Sequence, residues 1–212
     1  MKGFVNILKH KYFAFSAVVM MVMLPLILVV NNQQKETRSQ AEASTTLTFN
    51  PVTLPNTPLQ KKVGDNFSLD VMLNPGKNLV SLIKLDITYD PAKISLSSTN
   101  PLVVNSEIFP QILEGPVYST GRIQVVLSVG SDLSKAISTQ SRAATVNFVA
   151  NSPASQTLVS FGTGTSVSSV ASTDLSGENV LSTTSPAYIT ISKATGKNSG
   201  GGNGGGKGKP TK

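Results

Sequence analysis

The sequence predicts an all-β domain of two stacked antiparallel sheets, about nine short strands in all, behind a single transmembrane helix. Three observations carry this. Val63–Leu73 and Ile83–Tyr89 alternate apolar and polar residues with period two, the pattern of a strand with one buried and one wet face. Turn chemistry closes each stretch: Asn74-Pro75-Gly76 after the first, Asp90-Pro91 after the second. Tyr12–Val30 is a run of nineteen residues without a charge.

That uncharged run follows Lys2, Lys9 and Lys11. A basic flank before an apolar run marks export, and this run is long enough to span a bilayer as a helix. The basic side stays in the cytoplasm, which places everything after Val30 outside. Residues 1–30 are therefore read as a signal peptide or signal anchor. Ala41-Glu42-Ala43 resembles a cleavage site, and cleavage after Ala43 would release a secreted product. It lies roughly thirteen residues past the apolar run, farther than usual, so the reading favours an uncleaved single-pass anchor at the cell surface. Residues 31–43 are a polar juxtamembrane spacer.

Residues 44–193 form the folded domain. The first strand spans Thr45–Phe49, and Pro51, Pro55 and Pro58 make an extended connection after it. Phe67–Leu73, Val80–Tyr89 and Ile94–Leu96 follow as strands. Pro101–Pro116 reads as longer and less regular. Arg122–Val129 aligns Ile123, Val125, Leu127 and Val129 on one face, and Ala144–Ala150 alternates likewise. Leu158–Phe161 and Tyr188–Ile191 are the last strands. A Ser/Thr/Gly-rich loop from Gly162 to Pro186 separates them, with one short strand near Val167–Val170. Residues 194–212 are a glycine-rich tail with little to bury, expected to be disordered.

Composition narrows the function. The chain has no cysteine, and its only histidine, His10, precedes the apolar run. Thiol chemistry, an imidazole-based triad and a histidine metal site are excluded from the domain. The formal net charge is +7, but residues 44–193 hold nine basic and nine acidic side chains, so the excess lies in the two ends. No basic folded face is expected, and so no nucleic-acid partner. Carboxylate-only hydrolysis would need a pair such as Glu107 and Glu114, which flank Phe109 without a spacing that fixes geometry. No loop has the order of a calcium hand; Asp174 and Glu178 are the only loop acids that suggest one. The expectation is no cofactor, no metal and no catalysis.

The pattern resembles the cohesin domain, and more broadly the jelly-roll sandwich shared by cohesins and some carbohydrate-binding modules. Val63-Gly64-Asp65 leading into Phe67–Leu73 carries the resemblance, as does Leu85-Asp86-Ile87-Thr88-Tyr89-Asp90-Pro91 with Ile94 and Leu96 behind it. Ser106–Leu113, Gly121-Arg122-Ile123, Ala144–Phe148, Val180-Leu181-Ser182 and Tyr188–Ile191 continue it in order over residues 44–193. Tyr89 falls in phase with Ile83, Leu85 and Ile87, so its ring is expected in the core.

The resemblance implies a non-catalytic binding module displayed on a bacterial surface, with a dockerin-like protein partner held on an exposed sheet face. The residues expected on that wet face are Leu82, Lys84, Asp86 and Thr88 on one strand and Gln124, Val126 and Ser128 on another. Cohesins place Asn and Asp where this chain has Leu82 and Lys84; it exchanges an acceptor-rich pair for an apolar and a cationic residue, which counts against a conventional dockerin. A second reading is a carbohydrate-binding module linked to polysaccharide degradation, with Tyr118 and Phe109 as exposed rings for glycan contact. The chain has no Trp, too few rings for a planar strip. A third is a structural surface domain without a discrete ligand.

Overall fold

The computed structural model describes residues 43–170 and 179–194. Thirteen strands occur among them. They are β1 (Thr45–Asn50), β2 (Leu59–Lys62), β3 (Asn66–Asn74), β4 (Val80–Tyr89), β5 (Ile94–Leu96), β6 (Leu102–Val104) and β7 (Gln111–Ser119). The remainder are β8 (Arg122–Ser128), β9 (Ser141–Ala150), β10 (Ala154–Phe161), β11 (Ser166–Ser169), β12 (Leu181–Thr184) and β13 (Ala187–Ser192). One sheet runs β12-β1-β3-β9-β5, with β6 also on β9; the other runs β2-β13-β10-β4-β8-β7, with β11 also on β4.

The two-sheet all-β expectation holds, with differences in detail. Pro101–Pro116 is more regular than its sequence suggests: it contains β6 and the first half of β7. β2 and β12 lie where connections were expected. Both pair in parallel, β12 with β1 and β2 with β13, so the sheets are antiparallel except at these edges. Each is four residues long and lacks a full alternation to read. Among the described residues no helix is long and apolar enough to cross a membrane; Tyr12–Val30, the spacer up to Glu42, Asp174, Glu178 and the tail from Thr195 lie outside them.

The core follows from the alternation. Leu47, Leu69, Leu73, Ile83, Leu85, Ile87, Ile123, Leu127, Phe148 and Ile189 are fully buried between the sheets. Phe148 stacks on Phe67 and meets the edge of Tyr89, both at 5.5 Å between ring centroids, so Tyr89 points inward as its phase requires. Phe49 of one sheet stacks on Phe161 of the other at 4.4 Å.

The chain enters and leaves at opposite ends of the sandwich. Thr46 pairs with Asn74 at the end of β3. Buried Asn78 secures that entry by donating to the hydroxyls of Ser44 and Thr45, and Thr45 Oγ1 in turn donates to the carbonyl of Pro75. Ser192 pairs with Lys62 and accepts from the Val63 N–H, beside the start of β3.

Candidate functional site

Three neighbouring strands build the candidate face. β4 pairs antiparallel with β8, and β8 with β7. Residues directly opposite in such pairs point to the same side. The inner phase of β4 and β8 is core, so the outer phase forms four cross-strand rows. These are Leu82–Ser128–Gln111, Lys84–Val126–Glu114, Asp86–Gln124–Val117 and Thr88–Arg122–Ser119. All seven residues expected on a wet face therefore do fall in adjacent rows.

Their exposure differs. Lys84 is exposed, and Leu82, Thr88, Gln124 and Val126 are partly exposed. Ser128 is buried, a correction to the wet-face expectation; its hydroxyl accepts from the Gly130 N–H. Phe109 is also corrected: it is 1% exposed and packs in the core, so it offers no ring to a glycan. Tyr118 is 43% exposed. Partial desolvation pushes its phenol pKa up.

Asp86 is the largest correction. It points outward by phase yet has 0% exposure. β10 and β11 pair with successive halves of β4, at Ile87–Tyr89 and Val80–Lys84 respectively. The break between them, Gly162–Thr165, lies against Asp86. Gly162 N–H donates to the Asp86 carbonyl at 2.6 Å. Thr165 Oγ1 accepts the Asp86 N–H and donates back to the Asp86 carbonyl, replacing the missing ladder bonds. Arg122 grips the carboxylate from the other side, Nε to Oδ1 at 2.6 Å and Nη2 to Oδ2 at 2.7 Å, and Gly164 N–H adds 3.1 Å to Oδ2. The Arg122 guanidinium holds the Asp86 carboxyl below the usual carboxylate range despite the burial that raises it; the Gly164 N–H and the Lys84 charge act in the same direction. A buried carboxylate persists only when it is paired and hydrogen-bonded in this way.

β7 supplies what sequence reasoning missed. Glu114 and Val117 complete two of the rows, and Val117 is 56% exposed. Leu113 is exposed beside them. Lys84, Glu114, Gly115, Val117, Gln124, Val125 and Val126 line a shallow depression of about 170 Å³. The lining of this depression mixes apolar side chains with one cation, Lys84, and one anion, Glu114, a composition suited to contact with another surface. Glu107 and Glu114, the pair a hydrolase would need, line separate depressions. Among the described residues no three His, Cys, Asp or Glu side chains group to hold a metal ion.

Residues 52–191 match the profile of the family described as Cohesin domain. The chain belongs to the cohesin family. Its fold is that of solved cohesin modules. The cohesin CaCohA2 from Clostridium acetobutylicum is 17% identical with a TM-score of 0.55, over 70% of this chain and 90% of that one. The cohesin–dockerin complex Coh-OlpC–Doc435 from Clostridium thermocellum matches at 12% identity and TM-score 0.52, over 71% and 95%. A non-cellulosomal cohesin from the archaeon Archaeoglobus fulgidus matches at 16% and 0.51, over 70% and 91%. No curated protein matches.

Proposed function

We propose that this cohesin is a non-catalytic docking module that holds a dockerin-like protein partner on the outer face of β4, β8 and β7. The observation that carries the reading is the Lys84–Val126–Glu114 row: partly apolar, open to solvent, and central to the face. The Coh-OlpC–Doc435 complex supports the partner class, since a cohesin there binds a dockerin. We further propose that the module is exported and held at the cell surface by Tyr12–Val30, a reading that rests on the length and flanks of that run.

The test immobilises the full chain and passes exported proteins of the source organism over it. A saturable protein partner, released by Lys84→Glu, is the expected result. Binding that Lys84→Glu leaves unchanged places the partner elsewhere. The glycan reading rests on the exposed ring of Tyr118. Retention on a polysaccharide that Tyr118→Ala abolishes would favour it over docking. Neither signal leaves a structural surface domain.

A further inference from the structure

The folded domain is neutral as a whole, but its charges are unevenly placed. Four segments meet at the end where the chain leaves. Val63 N–H donates to the carbonyl of Ser192, Gly64 N–H to that of Ala150, and Asn151 N–H to that of Lys93. These bonds bring the backbone of Lys61, Lys62, Lys93 and Lys193 to one end of the sandwich; among the described residues Asp65 and Asp90 are the acids there. Each aspartate is engaged by its own turn: Asp65 accepts the Lys62 N–H and Asp90 the Ala92 N–H. Lys61 Nζ stands 5.8 Å over the ring of Phe67 and keeps its charge. The described loops at the entry end balance instead, with Lys77 and Lys135 against Glu107 and Asp132. After Lys193 the sequence adds Lys197, Lys207, Lys209 and Lys212 and no acid. Charge of one sign gathered at one end makes a positive potential there, whatever the sum over the domain.

A single small anion gains little from surface lysines, because such pairs are weak and screened by salt. A polymer with repeated charges gains at each one and releases the counterions it carried. No aromatic ring occurs in residues 61–65, 90–93, 150–153 or 192–212, so bases would find nothing to stack on. This end also lies opposite Thr45, the end that the proposed anchor would tie to the membrane, which turns it away from the lipid surface. Taking the compartment from the export reading above, we infer that the exit end, continued by the lysines of residues 197–212, binds an anionic polysaccharide outside the cell. The carboxylate or phosphate groups of the polymer seat along the lysines, and the outer face of β4, β8 and β7 stays clear for a protein partner.

The test measures binding of the full chain, in neutral detergent, to polygalacturonate, to a glycerol-phosphate teichoic acid and to neutral dextran. Binding to one or both charged polymers and not to dextran is the expected result, and which of the two binds tells carboxylate from phosphate. The affinity should fall steeply between about 0.05 and about 0.5 M NaCl. Changing Lys62, Lys93 and Lys193 together to Gln should weaken it roughly tenfold or more, while the same three positions changed to Arg keep it. Lys84→Glu, on the docking face, should leave it unchanged. Binding to neither charged polymer, or to dextran equally, overturns the inference. So does a triple Gln variant that binds as the wild type does, since the polymer then does not use the exit end. Loss through Lys84→Glu moves the polymer onto the docking face and overturns it too. Tighter binding to single-stranded oligo-dT, or to phosphatidylglycerol vesicles, replaces the polysaccharide with that ligand. None of these failures touches the docking reading, which is read with a protein partner.

Discussion

Gly162 lies so close to the carboxylate of Asp86 that a Cβ at position 162 would stand 2.5 Å from Oδ2. Gly164 is nearly as tight, at 2.8 Å from the same atom. The turn that interrupts β10 and β11 is thus moulded to one buried side chain. Gly162→Ala is expected to destabilise the fold by about 1–3 kcal/mol, the range for overpacking a filled site. Asp86→Ala in the same chain should recover part of that loss, because it removes the atom the methyl group meets. Urea denaturation of the two single variants and the double variant measures the coupling; strict additivity would mean that the contact does not set the cost.

The depressed pKa of Asp86 links stability to pH. An unfolded aspartate titrates near about 3.9, and the folded group titrates lower, so the folded state binds fewer protons between the two values. The contribution is fully present above the unfolded value and is lost as pH falls through the folded one. Asp132, lowered by its hydrogen bonds with Ser134, adds a change of the same sign at an exposed site. Melting temperature is expected to fall steeply below about pH 4 in the wild type. Asp86→Asn should flatten that fall and lie lower at neutral pH, where the Arg122 pair is lost. A parallel pH profile for the two proteins would contradict the assignment.

Phe148 is the joint of the core. It is fully buried and touches both Phe67 and Tyr89. Phe148→Ala is expected to cost about 3–5 kcal/mol, through lost transfer energy and an unfilled cavity. Calorimetry checks this, and a cost below about 1 kcal/mol would mean that the sheets close over the gap.

The membrane reading has its own check. Fractionation of cells with an antibody to the glycine-rich tail is expected to find the chain in the membrane, released by detergent and not by salt. A soluble extracellular product beginning at Ser44 would replace the anchor with cleavage after Ala43.

Strands that bury one face completely were legible in the sequence. β3, β4 and β8 show it: their inward residues recur every second position, in β4 from Ile83 onward, and β4 ends at Tyr89 where its alternation does. β7 was not legible. Its apolar residues come in pairs, Ile112-Leu113 and Val117-Tyr118, around Gly115-Pro116, which breaks a period of two. The register breaks between Ile112 and Glu114 and between Glu114 and Val117 are the structural form of that irregularity. Asp86 could be placed on the outer phase from β4 alone. Its burial comes from a turn far along the chain and from Arg122 on a neighbouring strand, and no local pattern encodes either. Phe109 likewise follows no alternation. Its N–H bonds back to the carbonyl of Asn105, and that compact turn carries the ring inward.

The entry at Thr45 and the exit at Ser192 sit at the two ends of β3, about 27 Å apart at the usual rise per strand residue. Tension applied through the flanking segments would load β1 and β13 lengthwise, in opposite directions and in different sheets. Their ladder bonds lie across that line of force. They would have to yield together in shear rather than unzip one by one, so the sandwich can transmit a pull from one flank to the other while its broad side stays free.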